Sequence, residues 1–278
     1  MFKNCYSLKY VDFSAFKPLN LRNINSVFYN CSSLTSINFL DFYSDDLTNL
    51  GYLFYNCSSL KEINIEEFNT KNVKNMQSMF EGCNSLTSII IGPNFEISNN
   101  IEYIDSMFAR CYSLTSINFD ITINNKVTSL SSLFSDCHSL TSVNLANFDT
   151  SNIKYFDYMF HNCYSLNNID ISNFKFKQNA NLKGMFSGLY QITSMDFSNI
   201  RHDYYQFDEI FYDCPNLNYV DFSFLIDFDY YFYTPSYYIF NGNISTSGIL
   251  ILDKDYFNKY LKKLDIYPPD GWELIFNN

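Results

Sequence analysis

The sequence predicts an α/β solenoid of about nine to ten coils, with a parallel sheet on one face and short helices on the other. The phrase Met-Phe-x-x-Cys-x-Ser-Leu, followed by a short apolar strand pattern, recurs nine times in the 278 residues, and clear copies begin at Met1, Met79 and Met159. Most copies lie 26 residues apart, with one step of 28 and one of 25. Such a period is typical of solenoids, in which each coil buries its apolar face against its neighbours.

The unit from 72 to 97 shows what each coil is expected to contain. Apolar residues spaced by three and four predict a helix from Asn72 to about Cys83, begun near Thr70 or Asn72 as its N-cap. After a turn, alternating apolar residues from Leu86 to Ile91 predict a short strand. Parallel strands joined by helices predict right-handed crossovers.

The domain organisation follows from where this repeat is regular. The array is expected to cover residues 1–225, and residues 226–278 are expected to form a degenerate last repeat and a C-terminal cap of the same domain. In that last part Ile239 and Phe240 occupy the Met-Phe positions, Ile249–Leu252 is the predicted strand, and 255–264 the predicted helix. Trp272, the one tryptophan of the chain, lies in the predicted cap.

All eight cysteines share one phase of the repeat, and Leu189 takes that phase in the coil without one. A free cysteine acts as a small apolar residue in a buried position, and leucine fills the same space but cannot form a disulfide or bind a metal. The sequence therefore predicts structural core thiols, with disulfides and a metal site as the alternatives. They are Cys5, Cys31, Cys57, Cys83, Cys111, Cys137, Cys163 and Cys214.

Composition and motifs narrow the function. A net charge of −11 argues against nucleic-acid binding, which needs a basic surface. No stretch has the length of a membrane span, so we expect no membrane insertion by this segment. Met1 lies inside a repeat with no signal peptide before it, which suggests a piece of a longer protein. Because the sequence has no catalytic or phosphate-binding motif, we expect no enzyme and no cofactor.

The residues that flank the central apolar position of each strand should face solvent and form two polar columns. These columns change toward the C-terminal end, where aspartate replaces asparagine, and we expect a partner to bind there. Small polar residues that merely prevent association are the alternative. The candidate residues are Asn118, Asn144, Asp170, Asp196, Tyr219 and Asp221. The tyrosine-rich segment 230–238 is a second candidate.

The segment Cys137–Lys154, Cys-x-Ser-Leu-Thr-Ser-Val-Asn-Leu-Ala-Asn-Phe-Asp-Thr-Ser-Asn-Ile-Lys, closely resembles the BspA-like leucine-rich repeats, and more narrowly the DUF285 type. The resemblance covers residues 1–225. It implies a leucine-rich-repeat solenoid that is displayed at a cell surface or is extracellular and adheres to a protein or glycan partner. The alternative is an intracellular, cytoplasmic scaffold, for which the free thiols and the missing signal peptide are the evidence.

Overall fold

The structure, a computed structural model, describes residues 1–16, 20–40, 42, 44–97, 100–117, 121–177, 179–198, 205–223, 239–242, 244–258 and 268–277. It is a parallel β-solenoid of about nine turns. One continuous apolar core runs along it from Val11 to Trp272. The predicted stacking of coils around a shared core is therefore confirmed.

The strands are short and pair in parallel with their counterparts in neighbouring coils. Strands β1 (Tyr10–Asp12) and β2 (Ser36–Asn38) form one pair, β3 (Glu62–Ile65) and β4 (Ser88–Ile91) a second, and β5 (Ala180–Asn181) and β7 (Tyr205–Gln206) a third. A four-stranded sheet has the order β10-β9-β8-β6, made of β6 (Ser194–Asp196), β8 (Tyr219–Phe222), β9 (Gly248–Asp253) and β10 (Trp272–Asn277).

A column of phenylalanines marks the same point of successive coils, and we call it the phenylalanine column. Neighbouring rings stack with centroids 5.5 to 6.0 Å apart. The column consists of Phe2, Phe28, Phe54, Phe80, Phe108, Phe134, Phe160, Phe186, Phe211 and Phe240. Phe240 thus continues the column into the degenerate last repeat, as its Met-Phe position predicts.

The predicted helices are wrong. Among the described residues the one α-helical segment is α1 (Lys254–Tyr256), and the segment from Asn72 to Cys83 contains consecutive tight turns instead. Alternate amides there donate to the next coil: Ser78 N–H to Asp105 O at 2.9 Å, and Phe80 N–H to Met107 O at 2.9 Å. The amides between them donate three residues back, as Cys83 N–H does to Phe80 O at 3.0 Å.

The spacing of the coils explains this difference. Paired strands lie about 4.8 Å apart, whereas a helix with its side chains is about 10 Å wide. A chain of turns fits the strand spacing on the other side of the coil, and it buries the same apolar residues that a helix would bury. Val73, Met76, Met79 and Cys83 are all fully buried.

Two residues of each turn segment have a left-handed backbone, four positions apart. In one coil these residues are Tyr52 and Asn56, with φ 57° and 54°. In the next coil they are Ser78 and Gly82, with φ 53° and 75°. Glycine and asparagine tolerate this conformation best. At Gly82 a Cβ atom would also lie 2.1 Å from Asn56 Oδ1, so a side chain is excluded there on both grounds.

Strand β10 forms one edge of the four-stranded sheet, and Trp272 is the first residue of this strand. The Trp272 ring is 5.4 Å from Phe240, and its Nε1–H donates to Ser245 O at 3.0 Å. Trp272 is buried. The boundary predicted at 225 and most of the helix predicted at 255–264 lie outside the described residues.

Candidate interaction surface

The cysteines form a buried column in which each thiol has the same partner. Seven of the eight are buried, and each donates from Sγ to a phenylalanine carbonyl of the preceding coil at 3.1 to 3.2 Å. Cys83, for example, donates to Phe54 O at 3.1 Å. Cys5 differs from the prediction of a core thiol, since it is exposed.

Burial keeps these thiols protonated. It raises the pKa of Cys83 and of Cys214 to about 12, and it raises the pKa of Cys57 and Cys137 further. A thiolate is the form that binds metals and attacks disulfides. The neutral thiol is the form that donates the hydrogen bond to the carbonyl. Within the described ranges, no group of three or more His, Cys, Asp or Glu side chains is arranged to hold a metal ion.

The predicted partner-binding residues do not all face solvent. Asn144, Asp170 and Asp196 are exposed, Tyr219 is half-buried, and Asp221 is buried with 9% of its surface accessible. Asp196 and Asp221 are paired residues of β6 and β8, so the structure brings these two together. Asn118 and the tyrosine-rich segment 230–238 lie outside the described residues.

The asparagine and aspartate residues at this phase share a structural task. In each, Oδ1 accepts a hydrogen bond from the backbone N–H two residues later, at 2.8 to 3.1 Å, which turns the chain after the strand. We call this set the Asx column. Its described members are Asp12, Asn38, Asn64, Asn144, Asp170, Asp196 and Asp221.

The choice between aspartate and asparagine in the Asx column follows the residue two positions later. Each aspartate precedes a serine at that distance, as Asp170 precedes Ser172, whereas Leu40, Glu66 and Ala146 follow the asparagines. The Ser172 hydroxyl and N–H both bond to Asp170 and lower the pKa of its carboxyl group. The change toward aspartate at the C-terminal end, which we predicted to mark a binding site, therefore has a local structural explanation.

A second, partly exposed column, which sequence reasoning missed, occupies the position directly after the cysteine phase of the repeat. In four consecutive coils the rings of Tyr112, His138, Tyr164 and Tyr190 stack on one another, with centroids 4.5, 4.5 and 4.8 Å apart. We call these four residues the tyrosine–histidine ladder. Its end members, Tyr112 and Tyr190, are 36% and 37% exposed.

The sequence carries a signal for the ladder. Coil one has Tyr6 at this position, coils two to four have Ser32, Ser58 and Asn84, and an aromatic residue then occupies it in the four coils from Tyr112 to Tyr190. Positions of one column lie about 4.8 Å apart in a parallel stack, which is a stacking distance for rings. A comparison of the residues that occupy each variable position in successive repeats would have predicted the ladder.

Neutral polar residues separate the ladder from the Asx column in these coils. From each ladder residue the chain passes a buried leucine or, after Tyr190, Ile192, and the exposed or half-buried side chains that follow are hydroxyls or amides. They are Thr115, Ser116, Thr141, Ser142, Asn167, Asn168, Thr193 and Ser194. Coil three differs, because it has Lys61 and Glu62 at the two corresponding positions. We call the eight neutral residues listed above, from Thr115 to Ser194, the neutral strip.

Carboxylates flank both sides of this surface. On the ladder side, Tyr190 O–H donates to Asp213 Oδ2 at 3.2 Å, and His138 Nε2 lies 3.8 Å from Asp136 Oδ1. On the other side are Asp170 and Asp196 of the Asx column. The surface thus consists of a ring ladder and a neutral strip between two sets of acidic side chains.

The second described histidine, His161, is half-buried, as His138 is. Its Nδ1 lies 2.7 Å from Ser187 Oγ, and Ser187 Oγ donates its proton to Gly184 O at 2.7 Å. Since the serine has one proton, His161 donates from Nδ1 in this arrangement. Burial lowers the pKa of His161, while Asp136 and Glu209 act in the opposite direction.

Comparisons with known proteins identify the repeat type and leave its role open. A family model described as "Mycoplasma protein of unknown function, DUF285" matches residues 1–122 and 104–222. Searches of curated proteins and of solved structures return no match. Of the helices in the described residues, none has the length and apolar character that crossing a membrane requires.

Proposed function

We propose that this chain, a member of the DUF285 family, is a non-enzymatic interaction and adhesion module. Because the function of the family is unknown, the proposal is based on the surface of the chain. In this proposal it is displayed at a cell surface and binds a protein or glycan partner over the strand side of the solenoid. The resemblance of Cys137–Lys154 to BspA-like leucine-rich repeats supports surface display and adhesion. Solenoids commonly bind partners over such extended surfaces.

The observation that carries the proposal is the combination of the ladder and the neutral strip. The same four coils present partly exposed rings and uncharged hydroxyl and amide groups side by side. Tyrosine is enriched in protein interfaces because one side chain offers a large contact area and a hydrogen bond. The ladder position needs no ring for folding, since Ser32, Ser58 and Asn84 occupy it elsewhere.

The test is adhesion with a blocked surface. Beads coated with the chain are assayed on immobilised fibronectin, laminin, collagen and mucin, and the labelled chain on a glycan array. We expect binding to at least one of these, and loss of that binding in the double variant Ser142→Arg/Asn168→Arg, which places two large charged groups on the neutral strip. Both residues are exposed, so the core is unchanged.

The matched control is Asn125→Arg/Ser151→Arg, which adds the same groups at exposed turns of two adjacent coils away from the strip. Its binding should equal that of the wild type. Equal loss of binding in both double variants would contradict recognition over the strand side. Absence of binding to every matrix protein and glycan would contradict the adhesion role.

One observation favours the second candidate, an intracellular scaffold. All eight cysteines are free thiols, and free thiols persist best in reducing compartments. Protease treatment of intact cells that express the native protein separates the two candidates. Cleavage of the protein on intact cells supports surface display, whereas cleavage only after lysis supports the scaffold.

A further inference from the structure

We propose that the tyrosine–histidine ladder and the neutral strip form a docking surface for an extended, lysine- or arginine-rich segment of a partner protein. The inference rests on the proposed interaction function and names the partner class for it. The surface is confined to coils with Tyr112, His138, Tyr164 and Tyr190, so it occupies one part of the solenoid rather than its whole length.

The stacking of the rings favours a protein partner over a glycan. Sugars are bound by the open face of an aromatic ring, but His138 and Tyr164 have both faces covered by their neighbours at 4.5 to 4.8 Å. The two middle rings of the ladder therefore present edges rather than open faces to a partner. Aliphatic stems of long side chains can pack along such edges, while hydroxyls meet polar groups of a polypeptide.

The dimensions of the surface suit an extended segment. Four coils span three steps of about 4.8 Å, or about 14 Å, which an extended chain covers with about four residues at roughly 3.3 Å each. The neutral strip beside the ladder offers hydroxyl and amide groups in every one of these coils. A segment that runs along the solenoid axis would meet the same chemistry at each coil.

Charge determines the composition of that segment. Asp136 and Asp213 lie beside the ladder, Asp170 and Asp196 lie beyond the strip, and the strip itself has no charged residue. The chain as a whole has a net charge of −11. Opposite charges across an interface steer association and exclude partners of the same charge. Cationic side chains that extend from a segment on the strip would reach carboxylates on both sides.

The experiment selects peptides without assuming their sequence. The purified full chain is used to select from a phage-displayed library of random twelve-residue peptides, and the enriched peptides are synthesised for affinity measurement. We expect the enriched sequences to be rich in Lys or Arg. Their affinity should fall with added salt, since salt screens exposed charges.

Two double variants then locate the binding. Tyr164→Ser/Tyr190→Ser removes half of the ladder with a residue that Ser32 and Ser58 already provide at this position. Asp170→Asn/Asp196→Asn removes two charges but keeps the Oδ1 acceptor that Asn38, Asn64 and Asn144 use in the same column. Each should weaken the selected peptides at least tenfold.

The matched control is Tyr29→Ser/Tyr55→Ser. These two half-buried rings stack at 4.5 Å in another column, where Ser135 and Ser187 occur in other coils. The control should bind the peptides as the wild type does.

Enriched peptides that bind all variants equally would overturn this inference and leave the proposed interaction function intact, because recognition would then use another surface. Neutral or acidic enriched sequences, or no enrichment, would also overturn it. So would a glycan whose binding is lost in Tyr164→Ser/Tyr190→Ser, which would replace the partner class while keeping the surface.

Discussion

The phenylalanine column and the tyrosine–histidine ladder both stack aromatic rings from coil to coil, but one lies in the core and the other on the surface. The phenylalanine column keeps one residue type in every coil from Phe2 to Phe240. The ladder position has Tyr6 in coil one, serine or asparagine in coils two to four, rings from Tyr112 to Tyr190, and Pro215 after them. The space in the core determines the residue type in the phenylalanine column, whereas the residue type at the ladder position varies between coils. A partner can therefore recognise the coils that differ at the ladder position.

The largest effect should come from breaking the phenylalanine column in the middle. Phe134 is fully buried and stacks on Phe108 and Phe160 at 5.8 and 5.6 Å. Phe134→Ala should lower the free energy of unfolding by about 3–5 kcal/mol, because it removes buried contacts and leaves a cavity in a stack that cannot collapse. Urea denaturation followed by circular dichroism measures the change. A loss below about 1 kcal/mol would contradict the role of the column in stability.

A smaller loss is expected in the neighbouring cysteine column. Cys83→Asn replaces a thiol that donates to Phe54 O with an amide that has more polar atoms than the buried site can satisfy. The free energy of unfolding should fall by about 1–3 kcal/mol. Thermal denaturation detects the change as a lower midpoint. The control is Cys5→Asn, at the exposed member of the column, which should leave the midpoint unchanged.

The buried columns were predictable from the sequence, and the conformation of the chain around them was not. The spacing of Val73, Met76, Met79 and Cys83 places the same residues in the core for a helix and for a series of turns. The information that distinguishes the two is in the left-handed positions, such as Gly82 and Gly188, where a glycine or asparagine recurs. A helix disfavours these residues, and a tight turn requires them.

The candidate surface was only partly predictable, for a related reason. The sequence shows that Asp170 and Asp196 replace asparagine, but a serine follows each of them two residues later, and the Ser172 hydroxyl bonds to Asp170. The ladder depends on contacts between residues 26 positions apart, such as Tyr112 and His138. Such contacts follow from the stacking register, which is known once turns replace the helices.

His161 is half-buried and directly follows Phe160 of the phenylalanine column, and it should make stability depend on pH. Burial lowers its pKa in the folded chain below the ordinary value of 6.5, so the unfolded chain binds a proton more readily. The contribution of neutral His161 is therefore fully present above about pH 6.5 and is lost as the pH falls through the folded-state pKa. Urea denaturation at pH 5 to 8 measures this dependence.

The variant that tests the assignment is His161→Gln, which cannot titrate. Its free energy of unfolding should depend less on pH over this range than that of the wild type. His138→Gln is the matched control, since His138 lies in the exposed ladder. A pH dependence that His161→Gln leaves unchanged would show that other groups cause it.

The smallest effect on stability is expected in the ladder itself. Tyr164→Ser/Tyr190→Ser should change the free energy of unfolding by no more than about 1 kcal/mol, since exposed substitutions away from the core cost little and the loss of ring stacking adds a modest amount. Urea denaturation of this variant beside Phe134→Ala gives the comparison directly. If the two losses were similar, the ladder rings would be needed for folding, and their restriction to four coils would no longer indicate recognition.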